Sequence, residues 1–133
     1  MCIKENNCVL NYSRRGDHML DISTEFRKGI LFIRLTGELT KNTVSKLNED
    51  VTTLIKDNGI RNVVFNIKGL KTIDMKGINA LLYNYELSRN NNGKSCVCGI
   101  DNTLVSHRIK NSRLLKYMYE TSDELGAFNI MNL

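Results

Sequence analysis

The strongest constraint in this 133-residue sequence is a strand-to-helix junction near its middle. The apolar run Val63-Val64-Phe65-Asn66-Ile67 reads as a central strand. Shortly after it, Ile73-Asp74-Met75-Lys76-Gly77 leads into Ile78, Leu81, Leu82 and Tyr85, an apolar stripe at helical spacing. Asp74 is placed to cap that helix, its carboxylate accepting from the N–H of Lys76 or Gly77. Such a turn presents backbone N–H groups and one or two exposed side chains at a helix N-terminus.

Strands and helices alternate around this junction. Leu20 to Phe26 reads as an edge strand, Lys28-Gly29 as a tight turn, and Ile30 to Leu35 as a strand buried on most of both faces, together a β-hairpin. Gly37-Glu38-Leu39 is expected to be a loop, with Thr40 or Asn42 capping the next helix. That helix carries Val44, Leu47, Val51 and Leu54-Ile55 on one stripe and stops at Asn58-Gly59. Lys68-Gly69 is expected to turn the chain after the central strand, and Asn90 to Gly93 to end the helix after Asp74. A strand over Ser95 to Ile100 follows, then a short helix from Thr103 to Lys110 capped by Asn102. Leu114 to Tyr119 is expected to be an edge strand. Thr121-Ser122-Asp123-Glu124 reads as a capping box, Thr121 at the cap, before a last helix weakened by Gly126. This order implies right-handed crossovers and a mostly parallel α/β sheet.

Residues 1–18 are polar and aperiodic. If Arg14-Arg15 are encoded by AGG, they form a purine-rich ribosome-binding sequence just upstream of Met19, which is then the natural start. The alternative is a short disordered tail. The domain is expected to occupy 19–133, and the length suits one core.

Composition excludes several classes. No apolar run reaches the roughly 20 residues of a bilayer span, and no apolar segment near the N-terminus suits a signal peptide, so a cytoplasmic protein without membrane contact is expected. The net charge is +5, but the lysines and arginines are scattered without interleaved aromatics, so no nucleic-acid partner is expected. Cys96 and Cys98 share one face of a strand, about 6.5–7 Å apart, at the far limit for a disulfide. With His18 and His107 the only histidines, they read as buried small hydrophobes and not as metal ligands. There is no GxxxxGK[ST] or GxGxxG loop and no H-x-x-x-H pair, and no cofactor is expected. Glu38 and Asp74 read as a loop carboxylate and a helix cap rather than an acid–base pair. A binding module fits better than an enzyme.

Three segments in order resemble the STAS family: Leu35-Thr36-Gly37-Glu38-Leu39, Val63 to Leu70, and Ile73-Asp74-Met75-Lys76-Gly77-Ile78. The similarity spans about Leu20 to Phe128 and is greatest to bacterial anti-sigma factor antagonists. It implies a mixed, mostly parallel sheet of about 4–5 strands with about 4 helices packed largely on one face. It also implies a non-enzymatic regulator that binds a kinase-type anti-sigma factor, which phosphorylates a serine just after the family's aspartate. On this chain the aspartate is Asp74 and the serine position holds Met75, which has no hydroxyl.

The expected partner-binding surface is therefore Glu38, Leu39, Asp74, Met75, Lys76, Gly77 and Ile78. Met75 is either an apolar anchor for a partner or ordinary packing against Leu39 and Ile78. Lys76 either points into solvent or pairs with an acidic group on a partner, opposing the helix dipole in both cases. Two alternatives stand beside partner binding: a STAS scaffold that self-associates or joins other STAS proteins, and binding of a small anion or nucleotide at the helix N-terminus. Thr72 and Thr40 are open alternatives for a displaced phosphorylation site.

Overall fold

A computed structural model describes residues 19–132. The expectations for residues 1–18, including Arg14-Arg15, lie outside the described residues.

Among the described residues five strands form one sheet in the order β1-β2-β3-β4-β5, the same as their order in the chain. They are β1 (Leu20–Arg27), β2 (Ile30–Leu39), β3 (Asn62–Ile73), β4 (Ser95–Cys98) and β5 (Tyr119–Thr121). β1 pairs antiparallel with β2 through a two-residue turn. Lys28 and Gly29 both have positive φ there, 52° and 79°, the geometry whose twist matches a hairpin. Every other pairing is parallel.

Parallel neighbours require crossovers, and the chain supplies a helical connection each time. The first, α1, runs through Val44–Leu47, a π-helical stretch Asn48–Thr52, and Thr53–Asn58. Next come α2 (Met75–Asn90), α3 (Thr103–Lys110), the single turn α4 (Leu114–Tyr117), and finally α5 (Glu124–Met131). Because strand order advances in one direction, right-handed crossovers put α1 to α4 on the same face of the sheet. The main core lies there: Leu47, Val51 and Ile55 of α1, Ile78 and Leu81 of α2, and Val105 and Ile109 of α3 pack on Ile33, Phe65 and Val97. Among the described residues α5 alone covers the other face, where Ala127 and Met131 meet Ile30, Phe32, Val64, Cys96 and Cys98. The expected α/β architecture is therefore present, with helices largely on one face.

Several boundaries differ from expectation, each for a physical reason. Gly37-Glu38-Leu39 is the end of β2 and not a loop, because β3 also runs on and pairs with it through Leu39↔Ile73. Lys68-Gly69 lies inside β3 and makes no turn. The register shifts between Arg34 and Thr36, and Gly69 packs where a Cβ would meet Thr36 Oγ1 and the Leu35 carbonyl. A glycine in a strand marks close backbone approach as readily as a turn.

Neither Thr40 nor Asn42 caps α1. Thr43 occupies that position, its Oγ1 accepting from the Thr40 N–H at 3.0 Å and donating to the Glu38 carbonyl at 2.8 Å. The π-helical stretch brings Thr52 to the buried Asn84 of α2, its Oγ1 donating to Asn84 Oδ1 at 3.0 Å. β4 stops at Cys98, short of the expected Ile100. Leu114 to Tyr117 is helical, begun by Ser112 Oγ accepting from the Leu114 N–H at 3.2 Å, and the edge strand starts only at Tyr119. The cap of α5 is Asp123, not Thr121. Asp123 Oδ1 accepts from the Gly126 N–H at 2.9 Å, which leaves Glu124 free to reach the sheet.

Candidate functional site

The C-terminal ends of β2 and β3 lie side by side, so the chain leaves Leu39 and Ile73 from neighbouring points. The Asp74 N–H donates to the Leu39 carbonyl at 3.2 Å and joins the two exits. The Asp74 carboxylate then makes two bonds: Oδ1 accepts from the Gly77 N–H at 2.9 Å, and Oδ2 accepts from the Lys41 N–H at 2.9 Å. The first is the expected helix cap. The second ties the β2–α1 loop to the start of α2, a role the sequence did not announce, since no pattern links residues so far apart.

Gly77 completes the joint. A Cβ there would collide with the Leu39 carbonyl oxygen, so only glycine lets the first turn of α2 close onto β2. Leu39 and Ile78 are fully buried beneath it. Arg108 of α3 fastens the other side, its Nη1 donating to the Ile73 carbonyl at 3.0 Å. Arg108 was also not foreseen, because nothing in its local spacing points to Ile73.

On this frame Met75 is 62% exposed, whereas Leu39 and Ile78 lie in the core. Lys76 is exposed and has no ionic partner among the described residues. Glu38 and Asp74 are half-buried at its margin. The seven candidate residues thus divide: Met75 and Lys76 present side chains outward, while Leu39, Gly77 and Ile78 hold them in place. Asp74 acts as a structural acceptor, both oxygens engaged by backbone amides.

The same bonds bear on anion binding. The N-terminus of α2 already has a carboxylate in the position an anion would take. A second negative charge there would meet repulsion from that carboxylate.

The far side of the sheet holds a charge cluster. Arg34 of β2 donates through Nε and Nη2 to the two oxygens of Glu124, both at 2.8 Å, and through Nη2 to Glu25 at 3.0 Å. Asn66 Nδ2 adds a bond to Glu124 at 2.8 Å. The Arg34 guanidinium holds the Glu124 carboxyl below its ordinary range; burial opposes this, and the Asn66 amide adds to the lowering. Next to this cluster, burial pushes the Cys98 thiol up to about 12, with the neighbouring Cys96, Glu124 and Asp123 adding to the effect. Cys96 is raised as well, by burial first. Both thiols are fully buried and free, as the sequence led one to expect. Among the described residues no group of histidines, cysteines and carboxylates could hold a metal ion. No described helix is long and apolar enough to cross a membrane.

A family model described as STAS domain matches residues 21–127. An anti-sigma F factor antagonist of Paenibacillus polymyxa is 29% identical over 108 residues, covering 81% of this chain and 92% of the relative. Among solved structures, an anti-sigma factor antagonist from Mycobacterium paratuberculosis superposes with a TM-score of 0.78 at 15% identity, covering 87% of this chain and 97% of that one. The anti-sigma factor antagonist SpoIIAA in its unphosphorylated form superposes with a TM-score of 0.66 at 16% identity, covering 86% and 98%. At these identities the structural likeness speaks to the fold.

Proposed function

The chain belongs to the STAS domain family, and from that premise we propose that it is a non-enzymatic, cytoplasmic regulator that binds an anti-sigma factor of the kinase type. Its curated relative bears the name of an anti-sigma F factor antagonist, which supports this class of partner. The binding surface is centred on Met75 and Lys76, with Glu38 and Asp74 at its edge.

One observation carries the reading: an apolar side chain, 62% exposed, stands at the first position of α2 on a joint made rigid by Asp74 and Gly77. Exposed methionine adapts to irregular partner surfaces and gains by being covered. Because Met75 has no hydroxyl, the usual switch by serine phosphorylation does not operate at this position, and binding is constitutive. Lys76 directs the surface toward partners that carry an acidic group.

The test uses the full chain as bait in native cytosol, beside Met75→Asp. Recovery of a GHKL-type kinase by the unchanged chain, and its loss with Met75→Asp, supports the reading. With the purified partner the variant weakens binding at least about tenfold, since a carboxylate is stripped of water without a matching donor. Equal capture by both baits removes Met75 from the surface. Recovery of STAS proteins alone replaces partner binding with a scaffold role.

A further inference from the structure

β4 and β5 are parallel neighbours whose chains leave toward opposite faces of the sheet. After β4 the chain passes to α3 on the face of the main core, and after β5 it passes to α5 on the other face. Loops that part in this way open a crevice at the carboxyl ends of the strands, where open α/β sheets hold their ligands. A cleft of about 420 Å³ lies there, between Gly99-Ile100-Asp101 after β4 and Glu120-Thr121-Ser122 at the end of β5. That volume falls within the range of small-molecule sites, about 300–1,000 Å³. We infer that this cleft binds a diamino acid, a small molecule with two ammonium groups and one carboxylate.

The backbone shapes the cleft. β4 ends at Cys98, opposite Asn66, whereas β3 runs on to Ile73 and carries Lys68 past it into the lining. Gly99 has φ 79°, and a Cβ there would meet the Lys68 backbone nitrogen at 2.8 Å. Glycine therefore lets the chain leave β4 close against Lys68. On the far wall Thr121 Oγ1 donates to the Asp123 carbonyl at 2.9 Å and fixes the loop into α5.

Charge decides the class of ligand. Helix starts commonly draw anions to such a crevice. Here both already carry side-chain caps: Asn102 Oδ1 accepts from the Val105 N–H at 3.1 Å, and Asp123 caps α5 with a negative charge. The lining itself offers two carboxylates, Asp101 and Glu120, and one ammonium, Lys68. All three are exposed, and none forms an ion pair among the described residues. A diamino acid carries the inverse set. Its carboxylate pairs with Lys68, its two ammonium groups pair with Asp101 and Glu120, and half-buried Ile100 meets its methylene stem. A diamine without the carboxylate leaves Lys68 unanswered and is repelled by it. The site is separate from Met75 and stands whether or not that residue binds a partner.

The test is titration of the full chain with L-lysine, followed by backbone amide chemical shifts, with cadaverine and L-norleucine as comparisons. Saturable shifts are expected at Lys68, at Gly99 to Asp101 and at Glu120 to Ser122, with both comparison molecules weaker. Because the charges are exposed, each contact is expected to change affinity about two- to fivefold. Asp101→Asn and Glu120→Gln each weaken L-lysine and cadaverine alike. Lys68→Gln weakens L-lysine but does not weaken cadaverine, a split that loss of folding or a merely acidic patch would not produce. Absence of saturable shifts, shifts centred elsewhere, cadaverine or L-norleucine binding as tightly as L-lysine, or tighter binding of L-lysine by Lys68→Gln would each overturn the proposal.

Discussion

Asp74 holds the backbone N–H of Lys41, 33 residues earlier, at 2.9 Å through the carboxylate oxygen that the helix cap leaves over. One side chain thereby fixes both loops at the C-terminal ends of β2 and β3. Removing it affects two things at once. Asp74→Ala is expected to cost about 1–2 kcal/mol for the cap and about 1 kcal/mol for the tie between loops. Asp74→Asn, which keeps acceptor oxygen at the cap, should lie between wild type and alanine. Urea unfolding of the three proteins orders them.

Gly77 sets helix propensity against packing. On propensity alone Gly77→Ala gains about 1 kcal/mol. The collision with the Leu39 carbonyl reverses the sign, and a net loss of about 1–3 kcal/mol is expected. A rise in melting temperature for this variant would show that the joint relaxes without cost.

Met75→Asp should separate binding from folding. The side chain is exposed and α2 has no acidic residue in its first turn, so stability is expected to stay within about 0.5 kcal/mol of wild type. Met75→Ser is expected to accept phosphate when incubated with the cognate kinase and ATP, read by intact mass, whereas the wild-type chain gains none at this position.

Acid should loosen α5. The folded-state pKa of Glu124 is depressed, chiefly by Arg34, so its contribution is present above the unfolded carboxyl value of about 4.3 and is lost as pH falls through the lower folded value. Glu124→Gln is expected to flatten that acid limb. At neutral pH its cost is about 1 kcal/mol, at the low end because the Arg34 side chain stays 38% exposed. An unchanged acid limb in the variant would show that α5 is held by its apolar contacts alone.

Cys96 and Cys98 should resist alkylation in the native protein at pH 8, since both are fully buried and both thiols are raised. Peptide mapping after iodoacetamide, with and without denaturant, tests this. Labelling of Cys98 without denaturant would mean that α5 opens on the timescale of the reaction.

Features whose cause is local were readable in advance. Asn102 caps α3 and Gly59 ends α1 where their sequence neighbourhoods place them. Asp74 was likewise identified as a cap from three residues of context. What escaped was decided at a distance. Lys68-Gly69 reads as a turn until β2 is laid beside it. Thr121 reads as a cap until Asp123 takes the position and Glu124 turns to Arg34, 90 residues away. In the candidate site, Met75 and Lys76 could be named from their place beside Asp74. Which of the neighbouring apolar residues face outward was settled only by the sheet beneath them.

Strand order equal to chain order has a consequence for synthesis on the ribosome. Each parallel strand that emerges finds its neighbour already made, so the sheet and its α1–α4 face can assemble as the chain lengthens. The opposite face cannot. Among the described residues it is α5, made after every strand, that covers Ile30, Phe32, Val64 and both thiols. Arg34 waits beside them for Glu124. A nascent chain stalled before Glu124 would lack that cover and leave apolar sheet surface exposed, which makes such a truncated product prone to aggregate.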